Sequence, residues 1–106
     1  MLTRKSKYYK ISNSKINGIQ IDNFIKNNKK YPVLFKNEYV YYYDENANLK
    51  GKIKFNLMDT NSNGFKYSIS NTNNLYMFTD KIDYIVVKND GVYLFNKDNK
   101  FITFLI

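Results

Sequence analysis

The 106-residue chain contains no cysteine, no histidine and no tryptophan, and only one proline and four glycines. Without cysteine there is no disulfide framework, no thiolate metal site and no thiol nucleophile. Without histidine the commonest general base and zinc ligand is missing, and most hydrolase templates fall with it. No apolar run long enough for a signal peptide follows the start MLTRKSKYYK, and none is long enough to span a bilayer. The longest apolar stretch, Phe101 to Ile106, is interrupted by Thr103. A soluble cytoplasmic protein is expected, with no membrane partner, no metal and no cofactor.

What is present is narrow in kind. Lysine, asparagine, isoleucine, tyrosine and phenylalanine make up 63 of the 106 residues. All five have AT-rich codons, so part of the bias reflects nucleotide composition of the sort found in low-GC bacteria, their phages and their plasmids. Hydrophobic residues are 43% and aromatics 18%, enough for a packed core. The net charge of +8 is placed unevenly. Residues 1–54 hold twelve Lys/Arg against four acidic residues, whereas residues 55–106 hold five against five. Codon bias does not explain a one-sided imbalance, and a one-sided positive field favours polyanionic or acidic partners.

Three glycines follow Asn or Asp, at Asn17-Gly18, Asn63-Gly64 and Asp90-Gly91. Such dipeptides accept the positive φ of tight turns. Between them apolar and polar residues alternate with the period of half-buried strands. Lys52–Leu57 and Phe65–Ile69 read as a hairpin whose inner face carries Ile53, Phe55, Leu57, Phe65, Tyr67 and Ile69. Further strands are expected at Tyr31–Lys36, Glu38–Tyr43, Leu75–Phe78, Ile82–Lys88, Val92–Asn96 and Phe101–Leu105. The last three form a meander, and the apolar runs at Tyr84–Val87 and Phe101–Ile106 point to central strands. Ile21, Phe24, Ile25 and Asn28 have helical spacing, which predicts one short helix from about Asp22 to Lys29 after a turn at Asn17-Gly18. The expected fold is mainly β (α+β): a single small domain over 1–106 whose antiparallel sheet curls into a small barrel or half-open roll. Residues 1–7 read as a basic arm.

Val40-Tyr-Tyr-Tyr-Asp-Glu-Asn resembles Val92-Tyr-Leu-Phe-Asn-Lys-Asp. Two hairpins drawn from one residue pool look alike, so the similarity is not read as a repeat.

The constellation of interest surrounds the polar loop Asp44–Leu49. If Tyr43 pairs with Lys50, then Tyr41 faces Lys52 and Tyr39 faces Lys54, while Val40, Tyr42, Gly51 and Ile53 turn inward. Strict alternation then puts three tyrosines and three lysines on one outer face, extended by Lys66 from the next strand. Arg4, Lys5, Lys7 and Lys10 add charge at the N-terminus. Tyrosine rings stack on bases without regard to sequence, and lysines about 6.6 Å apart along a strand can track successive phosphates. The expected role is therefore a non-enzymatic binding module for nucleic acid or a nucleoprotein. The alternative is a phage- or plasmid-encoded inhibitor or adaptor that blocks a host defence enzyme, for example a CRISPR effector, by meeting an acidic protein surface. A purely structural account also exists, since tyrosine is a good strand former and edge lysines discourage sheet-to-sheet aggregation.

Two other motifs carry no chemistry on this reading. Asp59-Thr-Asn-Ser-Asn-Gly64 matches the first half of a calcium loop, but Ser70 occupies the twelfth position and strands flank it, so it reads as a turn. Asp83 with Phe95-Asn-Lys97 is similar to the D…ExK pattern of restriction-type nucleases, with Phe95 where the metal-binding carboxylate is required.

Overall fold

The computed structural model describes residues 18–70 and 74–105, with side chains from Asn23 onward within them. Helix α1 (Gly18–Asn27) is followed by strands β1 (Tyr31–Pro32), β2 (Asn37–Tyr43), β3 (Leu49–Asn61), β4 (Gly64–Ile69), β5 (Asn74–Phe78), β6 (Tyr84–Lys88), β7 (Gly91–Phe95) and β8 (Phe101–Leu105). The protein is mainly β, with two antiparallel sheets and one short helix among the described residues, and neither sheet closes into a barrel. The basic arm expected at 1–7 lies outside the described residues. Contacts group the chain into two units, one holding residues 18–30 and 82–105, the other 31–81.

In the first unit β6, β7 and β8 form the expected meander, each antiparallel to the next. One face carries Tyr84, Val86, Tyr93, Phe95 and Phe104, all buried, with Phe24 and Ile25 of α1 and Phe101 packed against them. The Phe24 ring lies 4.7 Å from Tyr93, and Tyr84 stacks on Phe95 at 5.1 Å. Such ring pairs add about 0.5–1.5 kcal/mol each beyond the area they bury. The helix begins four residues before the expected start, and Gly18 opens it instead of forming a hairpin turn. It also ends earlier, because the Asn28 amide donates to the Phe24 carbonyl and caps the last turn. Among the described residues β8 ends its strand order and is not the central strand expected at Phe101–Leu105; its apolar run is explained by burial of Phe104 and Leu105 from the faces of the sheet.

In the second unit β2, β3, β4 and β5 follow one another as a four-stranded antiparallel sheet. The β3–β4 hairpin forms as expected, with Asn61 opposite Gly64 and Phe55 opposite Ile69. Ile53, Phe55, Tyr67 and Ile69 are buried, while Leu57 and Phe65 are half-buried near a bulge that leaves Met58 unpaired and exposed. The turn expected over Asp59–Gly64 is shorter than that: Asp59–Asn61 continues β3, paired with Gly64–Lys66, and only Ser62-Asn63 turns, with the Asn61 amide donating to Asp59 and its Oδ1 accepting from the Asn63 N–H. Gly64 adopts φ 132°, and a Cβ there would meet the Phe78 carbonyl oxygen at 2.1 Å. The strand expected over Tyr31–Lys36 stops at Pro32. The Glu38 carboxylate accepts the N–H groups of Leu34 and Phe35 through one oxygen and folds that segment away from an extended path.

The β2–β3 and β7–β8 hairpins match pair for pair. The separation that takes Val40 to Val92 takes Val40↔Ile53 to Val92↔Leu105, Tyr42↔Gly51 to Leu94↔Thr103 and Tyr43↔Leu49 to Phe95↔Phe101. The turns agree as well. Asp44 N–H donates to Asn48 O as Asn96 N–H does to Lys100 O, and Ala47 (φ 66°) answers to Asn99 (φ 63°). Lys36-Asn37 recurs as Lys88-Asn89, and Glu38 as Asp90. The likeness noted in sequence thus extends through backbone geometry, register and bulge.

Two predictions follow from these contacts. Gly64→Ala should lower stability by about 2 kcal/mol or more, read as a lower urea midpoint at unchanged slope, because strain and a backbone clash combine. The second concerns alkali. Burial, with Asp83 nearby, pushes the Tyr84 phenol up to about 12. Burial and the bond to Asp90 push Tyr93 up to about 12. Unfolded tyrosine ionises near pH 10, so between these values the folded state holds more protons and stability falls as pH rises. Urea midpoints of a Tyr84→Phe/Tyr93→Phe variant should decline less steeply than the parent's from pH 10 to 12.

Candidate binding face on strands β2 and β3

The site is built by a turn. Asp44 Oδ1 accepts the N–H groups of Asn46 and Asn48, each at 2.9 Å, while Ala47 N–H donates to the Asp44 carbonyl at 3.0 Å. These bonds to the ionised carboxylate, that from Asn48 foremost, hold the Asp44 carboxyl below its ordinary range. The arrangement is a type I turn closed by a left-handed residue, which inserts one extra residue into the returning strand. That residue is Lys50. Tyr43 therefore stands opposite Leu49, not Lys50, and the expected Tyr43–Lys50 pair does not form.

Beyond the bulge the expected register holds. Tyr41 faces Lys52, Val40 faces Ile53 and Tyr39 faces Lys54. Val40 and Ile53 are buried, and Tyr42 lies over Gly51, where a Cβ would come within 2.5 Å of the tyrosine oxygen. Glycine opposite Tyr42 is what lets that ring lie flat on the inner side. Tyr39, Tyr41 and Tyr43 are 44%, 45% and 43% exposed, so all three rings emerge on the opposite face.

On that face the Lys52 ammonium sits 4.6 Å from the centre of the Tyr39 ring, and that of Lys54 5.6 Å. Tyr39 and Tyr41 are 6.3 Å apart and tilted by 48°. Lys50 and Lys52 are exposed and Lys54 half-buried. Lys66 shares the face but lies two strands away from the tyrosines and directly opposite Asp59, which offsets its charge. The structure thus brings Tyr39, Tyr41, Tyr43, Lys52 and Lys54 together, with Lys50 at the rim beside Asp44. Arg4, Lys5, Lys7 and Lys10 lie outside the described residues. Sequence reading missed Leu49, which is 59% exposed opposite Tyr43. The signal was there in Asp44-Glu-Asn-Ala-Asn, whose first carboxylate can serve two backbone N–H groups and shorten the loop.

The lysines do not guard an edge. Lys52 and Lys54 stand on β3 and Lys66 on β4, both interior strands, whereas the edge strand β2 carries no lysine. Replacing Lys50, Lys52 and Lys54 together by Glu should therefore leave the urea midpoint nearly unchanged, since surface substitutions usually shift stability by within about 0.5 kcal/mol each.

Among the described residues no three His, Cys, Asp or Glu side chains group as metal ligands, and no helix is long and apolar enough to cross a membrane. Comparison of the chain with protein-family models, with curated proteins and with solved structures finds no match.

Proposed function

We propose that this protein is a non-enzymatic binding module of the cytoplasm whose β2–β3 face takes single-stranded nucleic acid, free or within a nucleoprotein. The observation that carries the reading is the register: three half-exposed tyrosines in a row, with Lys52 and Lys54 directly opposite two of them. Tyrosines two residues apart on a strand are spaced by about 6.6 Å, so each ring meets a different base of an extended strand. Each stacked base contributes roughly 1–3 kcal/mol. A base on Tyr39 brings its phosphate within reach of the two ammonium groups already against that ring. A duplex hides its base faces in its own stack, so the unpaired strand is the better ligand. Curling of the sheet into a half-open roll belongs to this reading, supported by the twist that bulges at Lys50 and Met58 introduce.

Fluorescence anisotropy with a labelled single-stranded oligonucleotide tests it. Log affinity should fall linearly with log salt, and the Lys50/Lys52/Lys54→Glu variant should lose nearly all binding while staying folded. Tyr39→Ala with Tyr41→Ala should weaken binding by roughly tenfold or more with a nearly unchanged salt slope. Salt-independent binding, or full affinity in the lysine variant, would sink the reading and leave an acidic protein surface as the partner.

A further inference from the structure

The paired hairpins differ in one respect that bears on assembly. In the second, β6 runs antiparallel along β7, with Val86 opposite Tyr93 and Lys88 opposite Gly91. In the first, the corresponding segment 33–36 forms no ladder with β2, although β1 just before it lies against that strand. Glu38 holds the N–H groups of Leu34 and Phe35 in a turn, whereas Asp90, at the matching position, takes the Tyr93 hydroxyl instead. Strand β2 consequently ends its sheet order, with β3 on one side and, among the described residues, no strand on the other.

The backbone groups on that open side can be assigned. The N–H and C=O of Tyr43 both turn outward, where the Tyr31 hydroxyl bonds each of them. Lys36, at the other end, turns its carbonyl inward to the Leu57 N–H. Alternation along an antiparallel strand then directs the N–H and C=O of Tyr39 and Tyr41 to the open side. Asn37–Tyr43 has no lysine, no proline and no bulged residue of its own; its guards are the Glu38 carboxylate near one end and the Tyr31 hydroxyl over Tyr43 at the other, which leaves Tyr39 and Tyr41 between them.

We infer that the open edge of β2 pairs with β2 of a second copy of this chain, antiparallel about Val40, to make a two-fold dimer. The strand is suited to meet itself, because Tyr39-Val40-Tyr41 reads the same in both directions. With Val40 opposite Val40, each Tyr39 exchanges both backbone bonds with the partner copy's Tyr41, and Glu38 falls opposite a tyrosine and not another carboxylate. Lys52 and the Lys54 of the second copy, the cations then directly in line, are separated by three strand spacings, about 14 Å, beyond the ~8 Å screening length at physiological salt. The charge that would block self-association of the face therefore does not block it at the edge. One strand pair buries less than a standard interface of about 1,600 Å², so the dimer is weak and concentration-dependent. Its consequence is a continuous outer face of six tyrosines. The pairing itself is made by backbone groups and stands apart from the nucleic-acid reading.

Analytical ultracentrifugation of the full chain without nucleic acid, up to about 1 mM, tests it. The expected result is a shift from the 12.7 kDa monomer towards twice that mass. Amide exchange at Tyr39 and Tyr41 should slow by roughly tenfold or more over the same range. Tyr41→Pro removes an outward N–H without touching the β2–β3 ladder and should hold the protein monomeric. Tyr41→Ala keeps the N–H and should still dimerise, although it weakens oligonucleotide binding. A monomer throughout with fast exchange at both amides overturns the inference and leaves the edge to a strand of another protein. Should Tyr41→Pro fail to fold, the exchange measurement on the parent decides by itself.

Discussion

The phase of the β2–β3 hairpin governs everything proposed for this protein, and one carboxylate sets that phase. Asp44 gathers two backbone N–H groups and closes a short turn, so the chain returns one residue earlier than a wider loop would allow. Side chains on a strand alternate, so a shift of one residue exchanges inside for outside along the whole strand. The extra residue enters β3 and not β2, which leaves the parity of Tyr39, Tyr41 and Tyr43 intact. Gly51 completes the arrangement by leaving room for the Tyr42 ring on the inner side.

The second hairpin acts as an internal control. It has the same turn, bulge and pairing, but Phe95, Phe101 and Phe104 stand where Tyr43, Leu49 and Lys52 stand in the first. Those phenylalanines pack with α1 in an apolar cluster. In the first hairpin the corresponding positions hold a half-exposed tyrosine, an exposed leucine and an exposed lysine. A scaffold that can bury an outer face as apolar core here presents it as a half-exposed aromatic and cationic surface.

Legibility followed the range of the interactions. The β3–β4 hairpin, the C-terminal meander and the Tyr39, Tyr41, Lys52, Lys54 pairing were readable because local alternation and turn dipeptides specify them. The misplaced features each depended on a competing bond. Leu34 and Phe35 have the composition of a strand, but the Glu38 carboxylate offers their N–H groups a stronger acceptor. Gly18 reads as a turn until the amphipathic segment after it finds Tyr93 and Phe95 to pack on, which supports a helix of its length. Lys50 lost its place opposite Tyr43 to a turn one residue tighter than assumed.

By itself the sequence determined the mainly β character, the aromatic core, the uneven charge and the parity of the tyrosines, because these depend on composition and on neighbours a few residues apart. Tertiary structure alone decided which strands lie at an edge, which face receives the helix, and that two hairpins far apart in the chain share one geometry. Those outcomes rest on hydrogen bonds and packing between distant segments, and no local periodicity encodes which distant segment arrives.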